Sequence, residues 1–374
     1  MKIGILTLPL HINYGGILQA YALQTILKRM GHEVSIIEEI EKPITIPLQR
    51  APLVYGKRLI KNILGEKFPI FYEQKLNKEW PIIRQLTDKF IDKYIHLAKY
   101  KSFKCIKETE YDAFIVGSDQ IWRPKYFGEK KIYNAYLLFT KKWKIKRIAY
   151  AASFGTDNWE YTLTQTKHCK ELVKLFDAVS VREDSGVFLC KKYFGINATH
   201  VLDPTLLLTQ EDYTSLLKDT TTAENKGKIL NYILDESPYK ETLSNSIAKE
   251  KGLTPFRINP NATNPHLPLE ERIQPSVEQW LRGFNDAELV ITDSFHACVF
   301  SILFKKQFVV FGNKKRGMSR FTSLLKLFNL EDRMIESIEQ FEQLQTIDYN
   351  SVHIRLEQLR QDSLEYLKKY IVSI

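Results

Sequence analysis

Much of what would quickly classify a chain is missing from these 374 residues. There are four cysteines, Cys105, Cys169, Cys190 and Cys298. None forms a CxxC pair and none has a histidine at zinc-ligand spacing, which argues against a structural zinc site and a disulfide framework and suits a reducing compartment. No run of about 18 apolar residues occurs, so no transmembrane helix is expected. The short apolar start is not followed by a small-residue cleavage site; it reads as the first strand of the fold. There is no GxGxxG fingerprint and no low-complexity segment. The expected location is the cytoplasm, with peripheral contact at the inner face of the membrane left open. No metal, cofactor or nucleic-acid partner is expected.

What is present supports two sizeable cores: 44% hydrophobic and 12% aromatic residues, in a chain too long for one ordinary domain. Lys and Arg number 54 against 44 Asp and Glu, a net charge of +10. That excess fits an anionic ligand or surface, or a merely basic solvated exterior.

Hydrophobic periodicity gives alternating strands and helices, the pattern of a mostly parallel sheet. "KIGILTL" reads as a strand, "GGILQAYALQTILKRMG" as a helix stopped by Gly31, and "HEVSIIEE" as a second strand. Residues 45–105 lack strand patterns and read as a mainly helical insertion. Strands return in "DAFIV" (Ala113–Val116), "KRIAYAA", "FDAVSV" and "THVLDPTLLL". A second series follows in "KGKILNYILD", "TPFRINP", "ELVIT" and "QFVVF". Ser276 is a plausible N-cap of its helix, and residues 352–371 read as one amphipathic helix. The expected architecture is α/β: two Rossmann-like domains facing a cleft. The first spans 1–208 with its insertion and the second 209–350; a helix closes the chain at 351–374.

In such sheets ligands bind beyond the carboxyl ends of the strands, and polar residues recur there. The first turn, "HINYGG", offers His11, Asn13 and Gly15 just before a helix N-terminus, where a backbone can approach an anion. A plain tight turn has the same look. Gly117, Ser118 and Asp119 end a strand, either as ligands or as a capped turn. Arg182 in "VSVRE" can grip a carboxylate or phosphate, or simply pair with Glu183 or Asp184. Asp203 in "LDPT" can accept sugar hydroxyls, or shape the turn before Pro204. Between the apolar "ELVIT" and "ACVFSILF" stands the knot Asp293-Ser294-Phe295-His296. There Ser294 can cap the following helix, free N–H groups can hold an anion, and His296 can supply a proton. The loop "NKKRGMSR" adds Arg316 and Arg320.

Taken in order, "NYGGILQAYALQ", "DAFIVGSDQIW", "YAASFG", "VSVREDSG", "HVLDPTLLL" and "VITDSFHACVFSILFKKQF" resemble the polysaccharide pyruvyl transferase family. The resemblance implies a GT-B-like pair of domains. It also implies transfer of pyruvate from phosphoenolpyruvate onto two hydroxyls of a sugar as a cyclic ketal, in capsular or exopolysaccharide synthesis. His296 matches the family's general acid, and Arg182 matches its serine-x-Arg arginine. Ser294 stands where the better-described branch has Arg. The resemblance further implies a donor side at Ser294, Phe295, Arg316 and Arg320. The acceptor side would comprise His11, Asn13, Gly15, Gly117, Ser118, Asp119 and Asp203. The acceptor would be a lipid-linked or nucleotide-linked sugar. Two other readings stay open: a GT-B glycosyltransferase using a nucleotide sugar, and a non-catalytic sugar-binding protein of the same assembly line.

Overall fold

The computed structural model describes residues 1–66, 68–217, 225–258, 262, 264, 266–313 and 317–372. Seven strands form one parallel sheet: β1 Lys2–Leu6, β2 Glu33–Glu39, β3 Leu97–Tyr100, β4 Ala113–Val116, β5 Lys146–Ala152, β6 Ala178–Val181 and β7 Thr199–His200. Their order is β3-β2-β1-β4-β5-β6-β7. The chain therefore changes direction between β1 and β4, and a crevice opens at their carboxyl ends. A second parallel sheet, β8 Ile229–Tyr232, β9 Pro255–Phe256, β10 Leu289–Thr292 and β11 Gln307–Val310, runs β11-β10-β8-β9. Its own direction change lies between β8 and β10.

The central strands are buried along their whole length, as AFIV, AVSV, ILNY and LVIT are. Helices on both faces leave such strands no solvent side, so the sequence shows a continuous apolar run instead of alternation. Two expected strands shrink to two residues each, Thr199–His200 and Pro255–Phe256. In the first case Pro204 and the Asp203 side chain, which accepts from Thr205 N, turn the chain into a short 3-10 segment.

The insertion contains three helices, α1 Tyr14–Arg29 preceding it and α2 Ala51–Ile63, α3 Tyr72–Ile83 and α4 Gln85–Tyr94 forming it. It also ends, unlike the sequence reading, on a strand. β3 is four residues long and half-exposed, and its Lys99 guards an open sheet edge. The insertion does not stand apart from the second sheet's half of the chain. Fully buried Arg272 donates from Nη1 to Glu79 Oε2 of α3 at 2.6 Å, and Gln274 N donates to Ile83 O at 2.8 Å. Ser276 caps its helix, accepting from Gln279 N. The terminal helix, Tyr349–Val372, returns to the first sheet: Ser363 Oγ accepts from Leu202 N, and Arg360 Nε donates to Leu206 O. Of the expected boundary near residues 205–226, the stretch 218–224 lies outside the described residues.

Candidate active site

Each sheet contributes the loops at its own direction change. After β1, Asn13 is the N-cap residue of α1, and Gly15 and Gly16 form its first turn. A Cβ on Gly15 would stand 1.9 Å from His296 Nδ1. Only the missing side chain lets the imidazole of one half lie on the helix N-terminus of the other. His296 comes from the first turn of the helix Phe295–Leu303, just after β10.

After β4 the chain turns sharply. Gly117 has φ +135, and a Cβ there would meet Tyr150 O at 2.0 Å; the Gly117–Ser118 peptide is cis. Ser118 N donates to Gln19 Oε1 and Ser118 Oγ to Ala151 O, both at 2.8 Å. Asp119, in the left-handed region at φ 47, is thereby presented to Asn13 Nδ2, which donates to its Oδ2 at 3.2 Å.

Arg182 follows β6 and is fully buried. Its Nη1 donates to Asp203 Oδ2 at 2.6 Å and its Nη2 to Asp119 Oδ1 at 3.1 Å. Its guanidinium lies 4.7 Å from the centre of the Phe295 ring. Burial alone would depress it, but Asp203, Asp119 and Glu183 reverse that and hold it above its usual value. Asp203 also accepts from Thr205 N and Oγ1, and from Ser118 Oγ. Burial pushes its carboxyl up, yet His296 and Arg182 outweigh burial and keep it well below the carboxylate range. His296 Nε2 is 3.7 Å from Asp203 Oδ2. That is too long for a hydrogen bond, and this buried nitrogen has no hydrogen-bond partner among the described residues.

Arg320, from the helix Ser319–Leu327, completes the group. It is buried with its guanidinium 5.6 Å from the Phe295 ring, on which Arg182 also lies. Burial and the neighbouring Arg182 charge pull it down to about 10, with Asp119 and Glu183 opposing. It remains a cation at neutral pH. Close by, the two halves meet backbone to backbone: a Cβ on Gly317 would stand 1.7 Å from Gly155 O.

The structure thus brings together Asn13, Gly15, Gly117, Ser118, Asp119, Arg182, Asp203, Phe295, His296 and Arg320. His11 turns elsewhere. Its Nδ1 accepts from Arg84 Nη1 at 3.0 Å, and its ring meets Trp80 edge-on, so it faces the insertion. Burial lowers its imidazole pKa, and Glu41 offsets this only in part. Ser294 occupies the cap position but makes no side-chain cap bond, contrary to expectation. Thr292 Oγ1 instead accepts from Ser294 N at 3.0 Å, which fixes the turn from below. Arg316 lies outside the described residues.

Three contributors went unassigned in the sequence. Gln19 holds the Ser118 turn and donates to Thr7 Oγ1; a glutamine inside an otherwise apolar helix face was the available signal. Glu183 Oε1 accepts from Phe154 N and Gly155 N at 2.8 and 3.2 Å. Asp293 ties the second half together: its carboxylate accepts from Leu234 N, Asp235 N, Lys240 Nζ and Asn313 Nδ2. Three of these partners, Asp235, Lys240 and Asn313, line a pocket of about 630 Å³ together with Tyr239 and Met318, among others. Among the described residues no group of three His, Cys, Asp or Glu could hold a metal, and no helix is long and apolar enough to cross a membrane.

A family model described as polysaccharide pyruvyl transferase matches residues 13–315. No curated protein matches the chain. Among solved structures, UDP-GlcNAc 2-epimerase from Neisseria meningitidis bound to UDP-GlcNAc is similar at a TM-score of 0.53 and 12% identity, over 100% of both chains. A putative UDP-N-acetylglucosamine 2-epimerase from Listeria monocytogenes is similar at 0.55 and 11%, over 100% of this chain and 97% of that one. At these identities the likeness concerns the fold, which is of the GT-B type.

Proposed function

The chain belongs to the polysaccharide pyruvyl transferase family, and from that premise we propose that it moves pyruvate from phosphoenolpyruvate onto two hydroxyls of a sugar, as a cyclic ketal. The observation that carries this reading is the seating of His296, from the second sheet, on Gly15 of the first, beside Asp203. A proton donor fixed between the two halves is what enol-ether activation requires.

The steps assigned to the residues are these. His296 gives a proton to the donor's methylene carbon, which becomes a methyl group while the adjacent carbon turns electrophilic. One sugar hydroxyl adds to that carbon. The C–O bond to phosphate breaks, and the second hydroxyl closes the ring. Of the two hydroxyl protons released, one restores His296 and the other leaves on phosphate. General acid help of this kind contributes roughly 10²–10⁴-fold. Asp203 lies beside the imidazole and balances its charge when the ring is protonated. Arg182 is the positioning residue that holds Asp203 and Asp119 in place, since both its terminal nitrogens bond them. Arg320 supplies the cation for the donor's anionic groups, on the side where Ser294 brings none. Asn13 and Asp119 face the acceptor.

The test is an incubation with phosphoenolpyruvate and a panel of aryl glycosides bearing free neighbouring hydroxyls, in buffer containing EDTA. Release of inorganic phosphate, together with a glycoside mass gain of one pyruvate less one water, supports the assignment. Release of UDP from a UDP-sugar instead would make the chain a glycosyltransferase. Glycoside binding with neither release would make it a non-catalytic sugar-binding protein.

A further inference from the structure

We propose that helix α2, in the insertion, is a docking surface for an anionic lipid bilayer. The inference rests on surface chemistry and is independent of the pyruvyl-transfer reading.

A surface helix of a water-soluble domain normally turns its apolar stripe to the core. α2 does the reverse. At 3.6 residues per turn, Tyr55, Arg58 and Asn62 share one face, and that face is the packed one. Arg58 donates to Ile70 O at 2.8 Å and pairs with Glu73 through both Nη atoms. Asn62 exchanges two hydrogen bonds with the backbone of Phe68, and Tyr55 meets the Phe71 ring edge-on. The opposite arc carries Leu53 and Ile60, continued by the capping Leu64, with Ile63 and then Leu59 on its flank. These five are between 50% and 77% exposed, and no residue of α2 is buried. Polar bonds thus fix the helix with its apolar stripe facing outward, where it costs hydration free energy unless something covers it.

Charge selects the occupant. From Lys42 to Leu64 the chain has five basic residues and no Asp or Glu. Lys57 and Lys61 lie on the edge of the exposed stripe; Lys61 also reaches Glu66 at 2.7 Å. An apolar stripe with lysines at its border is the arrangement that lies in a bilayer interface. The aliphatic side chains enter the acyl boundary, and the ammonium groups stay among the headgroups. A protein partner would have to match the apolar stripe and the lysines at its border together. An anionic bilayer supplies both.

The experiment is vesicle flotation of the full chain, read by the fraction recovered with lipid. Phosphatidylcholine vesicles are compared with vesicles that also contain phosphatidylglycerol. The expected result is flotation with the anionic vesicles only, weakened by salt. Lys57→Gln and Lys61→Gln should each weaken partitioning about fivefold. The triple variant Leu53→Ser/Ile60→Ser/Ile63→Ser should weaken it by roughly 100-fold. These side chains are exposed, so the melting temperature should hold, as should phosphate release with a water-soluble acceptor. The idea is overturned if the wild-type chain fails to float with anionic vesicles at low salt, or if the triple variant floats as well as wild type. It is equally overturned if sedimentation equilibrium shows a dimer that the triple variant dissolves, because the stripe would then be covered by a second copy.

Discussion

Gly15→Ala isolates the contact on which the proposed chemistry depends. The added Cβ would stand 1.9, 2.3 and 2.6 Å from Nδ1, Cγ and Cε1 of His296. Non-bonded carbon contacts settle at about 3.5–4.0 Å, so the ring or the helix must retreat by roughly 1.5 Å. Asp203 at 3.7 Å and the Phe295 ring at 5.2 Å hem the imidazole in on other sides. A misplacement on the order of 1 Å at a reacting group costs about 10²-fold in rate. Stability should change much less. Overpacking costs about 1–3 kcal/mol, while alanine in place of glycine in a helix returns up to about 1 kcal/mol.

The assay is phosphate release under saturating phosphoenolpyruvate, with a melting curve on the same preparation. Turnover should fall about 100-fold in a protein that still melts cooperatively. Gly16→Ala is the control. Its Cβ would approach Asn13 Nδ2 at 3.0 Å and not His296, so the loss should be far smaller. The contact also predicts a coupling: on a His296→Ala background the stability penalty of Gly15→Ala should disappear. Near-normal turnover of Gly15→Ala, or a penalty unchanged by removal of the imidazole, would refute the reasoning.

Three further outcomes follow from the same geometry. His296→Gln keeps bulk and polarity but loses the acid, so turnover should fall about 10²-fold or more with little change in donor KM; steady-state kinetics decides. Arg320→Ala removes the buried cation proposed to meet the donor, and should raise the KM for phosphoenolpyruvate by about 10–100-fold, as initial-rate measurements would show. Asp203 is held well below its ordinary range in the folded protein. Its contribution to stability is therefore complete above the unfolded value of about pH 4 and is lost as pH falls from there toward the lower folded value. Asp203→Asn should flatten the acid side of a melting-temperature profile, and an unchanged acid limb would exclude the carboxylate from that balance.

The sequence revealed the sheets wherever strands are buried on both faces, because runs such as AFIV and LVIT have no solvent side to interrupt them. It did not reveal β3: LAKY is short, half-exposed, contains Lys99 and runs into Lys101, which looks like a loop. It placed α2 in a mainly helical insertion, but the outward face is decided by Arg58 reaching Glu73 and Asn62 reaching Phe68. Those pairings have no local signature. The candidate site followed the same division. Residues at strand ends could be picked out because that is where such folds leave polar groups. Their partners could not. Arg182 could be expected to meet a donor anion or its neighbours Glu183 and Asp184; it does lie 3.9 Å from Glu183, but its hydrogen bonds go to Asp119 and Asp203 after two other strands. The fit of His296 on Gly15 likewise requires both halves to be in place.

That assembly is costly. The described side chains around Phe295 include three carboxylates, Asp119, Glu183 and Asp203, against the guanidiniums of Arg182 and Arg320, and all five are buried. Removing such charges from water costs several kcal/mol per ion, and pairing repays this only where geometry is good. For Arg182 it is good. Burial and the neighbouring Arg182 charge lower Arg320 to about 10, with Asp119 and Glu183 opposing. An anion arriving beside a buried cation is attracted more strongly than beside an exposed one, because the surroundings screen the charge less. A small, multiply charged donor such as phosphoenolpyruvate suits that position. Binding of the donor should then raise the melting temperature of the wild-type chain, and Arg320→Ala should lose that rise; an equal rise in both would exclude Arg320 from donor capture.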